Sequence, residues 1–291
     1  MNKFNKYIYK IIPASLLFIY FLYVCAFHFI PELAMYNNSM KDKGNIIISP
    51  PCIVIIGGSN VVYGISAKQF QNYFGCVSYN LGISPGGEGT SRLYFRWLSQ
   101  LKLHPDIILY SPVEILSSKK IDELYYPLSI MPNDILPRVS LASLLRGIFF
   151  YKKDKFFDSY GDIIRYPDST FIKTDENKFK INEFNNANKV NVNNIIKKIK
   201  FLCSNFSKSK IILVVPPRHM DSSLREIFKI AVSNRLDLIK VDECHFEVLK
   251  NTLDYNLSSE KLFFDNNHLN SAGREKLTKY LISDIAELTN Q

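Results

Sequence analysis

From about residue 51 to the C-terminus, short apolar runs alternate with amphipathic stretches, a pattern that predicts a parallel sheet with helices packed on its faces. Cys52 to Ile56 is a buried-strand candidate that ends in Gly57-Gly58. Ser66-Ala67-Lys68-Gln69 has the form of a capping box, Ile65 and Phe70 are spaced as a hydrophobic staple, and Gly75 supplies the stop of a short helix. Cys76 to Leu81 predicts a second strand, followed by the Gly-rich loop SPGGEG and a cap at Thr90 or Ser91. The next helix carries Leu93, Trp97 and Leu101 on one stripe, with Tyr94 and Leu98 beside them, and core packing accounts for it. Asp106 to Tyr110 and Lys210 to Val215 predict two more strands. Pro216-Pro217 ends the second of these, because a proline pair cannot continue a central strand, so the chain leaves the sheet there at its carboxyl edge. Ser222 to Leu236 predicts a helix, Leu238 to Val241 a fifth strand, and Arg274 to Leu288 a closing helix built on Leu277, Leu281, Ile285 and Leu288.

Two regions depart from this rhythm. Residues 11–30 form an apolar run with no Asp, Glu, Lys or Arg and His28 as its one basic residue, about the length that crosses a bilayer core of roughly 30 Å as a helix. Lys3, Lys6 and Lys10 precede it and Glu32 follows, so the positive-inside rule places residues 1–10 in the cytoplasm. Residues 31–50 then read as a linker, and 51–291 as the main domain outside the inner membrane, in the periplasmic or extracytoplasmic space. A cleaved signal peptide ending near Val24-Cys25-Ala26 is the competing reading; continuation of the run through Phe27, Phe29 and Ile30 favours an uncleaved anchor. The second departure is at about 116–190, which holds an apolar helix candidate, Leu141 to Tyr151, and an Asn/Lys-rich tract from Thr174 to Asn194. It reads as an insertion that either caps the site or decorates the surface.

Length and an apolar fraction of 47% fit one main domain with a substantial core. The formal charge of +9 suits anionic partners, but the basic residues are scattered and form no Arg-rich block, which argues against nucleic-acid binding. Cys52, Cys76, Cys203 and Cys244 have no CxxC or Cys/His spacing, so no metal site and no cofactor is expected, and buried free thiols are the favoured reading.

Reactive groups in open α/β sheets collect at the carboxyl ends of the strands. IIGGSN puts Ser59 there, directly after the first strand, and FFDNNHLNSAG puts Asp265 and His268 just ahead of the last helix. A serine hydroxyl needs a base to attack an ester, and imidazole titrates nearest neutral pH. A carboxylate three residues before the histidine can fix its tautomer and stabilise the imidazolium. Ser59, His268 and Asp265 therefore make a nucleophile, a base and an orienting group. Taken alone, GGSN is a common turn and Asp265 or Asn270 a helix cap; the combination carries the reading. His219, after Pro216-Pro217-Arg218 and near Asp221, is the alternative base.

GGSN, then NLGISPGG, then DNNHLNSAG resemble blocks I, II and V of the SGNH (GDSL-like) hydrolases, in order and over most of the chain after residue 50. The resemblance implies a flavodoxin-like three-layer α/β/α sandwich, Ser59 as nucleophile, and Asp265 with His268 completing the triad. It also implies an oxyanion hole lined by the amides of Ser59 and of a block II glycine, Gly86 before Gly82. Block I reads Gly-Gly-Ser-Asn in place of Gly-Asp-Ser, and the block III asparagine is replaced by Ser111-Pro112-Val113-Glu114. Asn60 or Asn80 is a candidate for the missing donor. Asn80, Glu114, Pro217 and Arg218 are candidates for substrate contact, with Glu114 orienting a neighbour, binding a sugar hydroxyl or making a surface pair.

The looser pattern is similar to membrane-associated SGNH-like proteins of envelope glycan modification. It implies O-acetyl or acyl transfer, or ester hydrolysis, on a cell-envelope polysaccharide, alongside envelope-glycan assembly partners. An esterase or lipase for small or lipidic esters, and an inactive glycan-binding or assembly protein that kept the fold, are the alternatives.

Overall fold

The computed structural model describes residues 11–21, 42–83, 91–117, 157–164, 166, 181–219, 222–242, 244–253, 255, 257 and 259–289. Ser39–Ser129 and Lys155–Gln291 form one compact unit. Of the second unit, Met1–Asn38 with Ile130–Asp154, the described residues are 11–21, a helix whose residues are all exposed. Among the described residues no helix is long and apolar enough to cross a membrane; positions 22–30 of the expected span, the helix expected at Leu141 to Tyr151, and Gly86 lie outside the described residues.

The larger unit is built on five parallel strands, β1 (Ile53–Gly57), β2 (Ser78–Asn80), β3 (Ile107–Ser111), β4 (Lys210–Val214) and β5 (Phe246–Leu249), in the order β2-β1-β3-β4-β5. Among the described residues they are accompanied by the helices α1 (Ser59–Gly64), α2 (Ala67–Phe74), α3 (Ser91–Gln100), α4 (Ile181–Asn205), α5 (Ser222–Asp237) and α6 (Ser271–Thr289). Side chains alternate between the two faces of a strand. Ile53 and Ile55 of β1, Leu109 of β3 and Ile212 and Val214 of β4 join Leu277, Leu281 and Ile285 of α6 in one core. On the other face Tyr110 of β3 meets Phe95 of α3, which meets Phe201 of α4 at 5.6 Å between ring centres. The chain is thus an α/β sandwich, with both faces of a nearly continuous Val/Ile/Leu sheet covered, as a parallel sheet requires.

Four expected strands form within a residue or two of their sequence limits. The fifth does not: Leu238 to Val241 follows the end of α5 without pairing, and the edge strand is Phe246–Leu249. Its Glu247 pairs with Lys210 at 2.8 Å, so half-exposed polar residues hide it from a search for apolar runs. The free-thiol reading is also corrected: Cys52 is bonded to Cys76 and Cys203 to Cys244, across Cα separations of 6.0 and 5.6 Å. Irregular spacing gave no hint, because the first pair joins the starts of two neighbouring strands and the second ties the end of α4 to the approach of β5. Part of the expected insertion is helix instead, since α4 begins at Ile181, inside the Asn/Lys-rich tract.

Candidate active site

Ser59 is the first residue of α1, immediately beyond the carboxyl end of β1. The bend depends on Gly57, whose φ is +154°; a Cβ there would come within 2.5 Å of Val61 Cγ2 and 2.6 Å of the Ser111 carbonyl oxygen. Asp265 and His268 lie in the loop ahead of α6. That loop is fixed by Asn270, whose side chain donates to the Lys261 carbonyl at 2.8 Å and accepts from the Gly273 amide at 3.1 Å, capping α6. Here the cap reading holds for Asn270, while Asp265 turns its carboxylate to the loop itself.

The structure brings the three expected residues together. His268 Nδ1 donates to Asp265 Oδ2 at 2.8 Å, which leaves Nε2 to accept the Ser59 hydroxyl at 2.8 Å. The Asn267 and His268 amides also donate to Asp265 Oδ1, at 2.7 and 2.8 Å. Partial burial by itself would raise the Asp265 carboxyl; the imidazole hydrogen bond and charge, with those two amides, outweigh it and hold the group below the usual carboxylate range. The Asp265 and His268 side chains keep 22% and 23% of their surface exposed, so the pair is open to a ligand.

An aromatic frame surrounds the imidazole. The Phe264 ring lies nearly parallel to it, 5.4 Å between centres, and Tyr63 meets it edge-on at 5.3 Å. Burial, with the Asp265 charge nearby, pushes the Tyr63 phenol up and keeps it neutral. Tyr166 donates its hydroxyl to the Tyr63 carbonyl at 3.2 Å, and Arg274 lies over the Tyr166 ring at 4.8 Å. Phe264 is visible in FFDNNH, but nothing in the sequence places Tyr63 or Tyr166 beside the histidine.

The remaining expected donors and contacts fall differently. Val61 and Val62 donate their amides to the Gly58 carbonyl, and Ser59, at the first helical position, is one of the residues whose amide finds no acceptor within its own helix. The Gly82 amide already donates to Asn80 Oδ1 at 3.0 Å, so it is not available to an oxyanion. Asn60 directs its side-chain amide at Ser111, to Oγ at 2.8 Å and to the carbonyl at 3.3 Å, and is likewise not a side-chain donor to the site. Asn80 is wholly buried, and its side-chain amide is spent within the fold: it donates to the Val61 and Ile65 carbonyls at 3.1 and 2.8 Å and so braces the C-terminal half of α1. Glu114 is buried and paired with Lys198 of α4, which corrects its reading as a sugar ligand or surface pair. Pro217 and Arg218 border a cleft beyond β4. His219, the alternative base, is buried against Phe263, its amide donating to the Asn266 carbonyl at 2.9 Å; Ser59 Oγ bonds to His268.

Sequence reasoning missed a polar knot behind the site. Asp162 accepts hydrogen bonds from Ser66 Oγ at 2.7 Å and from the amides of Ala67 and Lys68 at 2.8 and 3.1 Å, so a residue from the expected insertion caps α2. Lys43, wholly buried, donates to the carbonyls of Asn80 and Gly161 at 2.8 and 2.9 Å. Its burial, against the opposing pull of Asp162 and Asp158, lowers its pKa to about 7.

No family model and no curated protein matches this chain. Among solved structures, one from Streptococcus pneumonia that carries the working description of a platelet activating factor aligns over 87% of this chain and 94% of its own, at 14% identity and a TM-score of 0.44. At that distance the likeness carries no argument about chemistry, which rests on the geometry above.

Proposed function

We propose that the chain performs serine-dependent acyl-ester chemistry of the SGNH type, with Ser59 as nucleophile, His268 as general base and Asp265 as the group that orients it. The observation that carries this is the continuous relay from Asp265 Oδ2 through His268 to Ser59 Oγ, two hydrogen bonds of 2.8 Å each, joining residues 209 positions apart. Side chains so remote in sequence meet at one sheet edge, and an ionised Asp265, which can only accept, favours the Nδ1–H tautomer that an attacking serine needs.

In this reading Ser59 Oγ attacks the acyl carbonyl carbon as its proton passes to His268 Nε2, and the Ser59 amide donates to the developing oxyanion. Collapse of the tetrahedral intermediate breaks the ester C–O bond, and the leaving alkoxide takes the proton from Nε2. An acceptor hydroxyl or water then gives its proton to Nε2 and attacks the acyl-Ser59 carbonyl; the proton returns to Oγ as the acyl group departs. Transfer and hydrolysis differ only in which hydroxyl arrives. We place the domain outside the cytoplasmic membrane, with residues 11–30 as its tether and an envelope polysaccharide as acceptor. The two disulfides support an oxidising compartment, and the block resemblance supports the glycan.

The test is release of acetate from a chromogenic acetyl ester, with and without an added envelope oligosaccharide. Acetyl recovered on the sugar selects transfer, acetate alone selects hydrolysis, and turnover undiminished in Ser59→Ala removes the proposal.

A further inference from the structure

The Ser59 chemistry makes no use of Lys43, yet this side chain is wholly buried, and a charge so placed persists only where the fold answers it. Lys43 sits in a helical turn at residues 42–45, ahead of β1. Its Nζ donates to the carbonyls of Asn80 and Gly161 at 2.8 and 2.9 Å and to Asn80 Oδ1 at 3.4 Å, and stands 4.3 Å from the centre of the Phe157 ring. The charges that face it are Asp162 and Asp158, and Asp162 is also answered by Arg274. Both carboxylates build the turn that holds Gly161: Asp158 Oδ1 accepts the amides of Tyr160 and Asp162 at 2.9 and 3.0 Å, and Asp162 caps α2. Gly161 lets that turn close on β2, since a Cβ there, at a φ of +76°, would stand 2.2 Å from the Asn80 carbonyl oxygen.

Two routes lead from the amine to the nucleophile. Ser59 opens α1, a helix of 6 residues, and a helix so short takes its place from what packs against it. On the first route Asn80, whose carbonyl and Oδ1 accept from Lys43, donates Nδ2 to the Val61 and Ile65 carbonyls of α1 at 3.1 and 2.8 Å. On the second, Phe157 packs with Val62 of α1 and Ile163, and Tyr63 lies against that cluster with its ring 5.3 Å from His268.

We propose that Lys43 is a positioning residue for Ser59: from the segment that leads into β1 it fixes Asn80 and Phe157, and through them the placement of α1 that brings Ser59 Oγ to His268 Nε2. The inference deepens the function proposed above and rests on it. A displacement of about 1 Å at a reacting atom costs on the order of a hundredfold in rate, so loss of the amine falls on the chemical step.

The test uses the full chain and a fluorophosphonate probe, with labelling of Ser59 read as a maximal rate and a half-saturating concentration. Lys43→Met, which fills the same space with an unbranched apolar chain, should lower the maximal rate between about tenfold and a hundredfold and leave the half-saturating concentration within about twofold. Lys43→Ala should lose as much and recover most of it with propylamine, which replaces the missing atoms. Propylamine should leave Lys43→Met unchanged, and 1-propanol, with a single donor, should not restore Lys43→Ala. Cys203→Ser with Cys244→Ser, labelled where it is still folded, controls for lost stability and should keep the wild-type rate. A wild-type rate in Lys43→Met, restoration of Lys43→Ala by both compounds alike or by neither, or an equal loss in the cysteine variant would overturn the inference and leave Ser59 as nucleophile. Wild type that carries no adduct on Ser59 removes the function proposed above and this inference with it.

Discussion

Asn60 donates its side-chain amide to Ser111 Oγ across 2.8 Å, tying the residue after the nucleophile candidate to the end of β3. Block III of the resembled family supplies an asparagine in the region where this chain has Ser111-Pro112-Val113-Glu114, and Asn60 was a candidate to replace it. The observed bond makes Asn60 a brace. Asn60→Ala should therefore cost about 1–2 kcal/mol of stability by leaving Ser111 unpaired, yet reduce kcat less than tenfold, where loss of a direct oxyanion donor costs on the order of a hundredfold or more. Denaturant melts and acetyl-ester kinetics on the same preparation separate the two.

Asp265→Asn should lower kcat by about three to four orders of magnitude, because the amide no longer selects the Nδ1–H tautomer or stabilises the imidazolium. The same carboxyl has a pH signature. Its pKa is depressed in the folded chain, so its contribution to stability is fully present above the unfolded value near 3.9 and is lost as pH falls through the lower folded value. Urea midpoints of wild type and Asp265→Asn should differ at neutral pH and converge in acid below about pH 4.

Lys43 predicts a rise of the same sign in an alkaline window. Burial lowers its pKa to about 7 against roughly 10.4 in the unfolded chain, so between those values the unfolded state holds more protons and stability rises with pH. Relative to Lys43→Met, which cannot titrate, wild type should gain stability from pH 7 to 10 as the folded amine sheds its charge. Parallel melting curves for the two proteins across that range would show that the buried ammonium carries no such penalty.

The two disulfides close loops of 24 and 41 residues, for which the chain-entropy relation gives about 3–4 kcal/mol each. Cys52→Ser with Cys76→Ser, and Cys203→Ser with Cys244→Ser, should each lower the melting temperature by several degrees, with added reductant doing the same to wild type. Thiol titration of the unfolded, unreduced chain reads the pairing directly.

The sheet was legible because β1, β3 and β4 are buried on both faces and so read as unbroken apolar runs, and Pro216-Pro217 marked where β4 must stop. Gly57 and the pairing of Asp265 with His268 made the site legible too, since a sharp turn and a three-residue spacing are local features. What was not legible depends on distant partners. Asp162 caps α2 from 96 residues away, Asn80 is drawn into the core by the carbonyls of α1, and Glu114 meets Lys198 across 84 residues. The edge strand β5 stayed hidden because an edge tolerates Glu247, and Gly82, placed correctly after β2, offers an amide that its own neighbour had already engaged.

The relay from Asp265 to Ser59 is tested most directly by a fluorophosphonate probe with peptide mapping. Wild type should carry the adduct on the peptide holding Ser59, His268→Ala should label at least about a thousandfold more slowly, and Ser59→Ala should not label at all. An adduct on another serine, or labelling of Ser59 at the same rate without His268, would contradict the account.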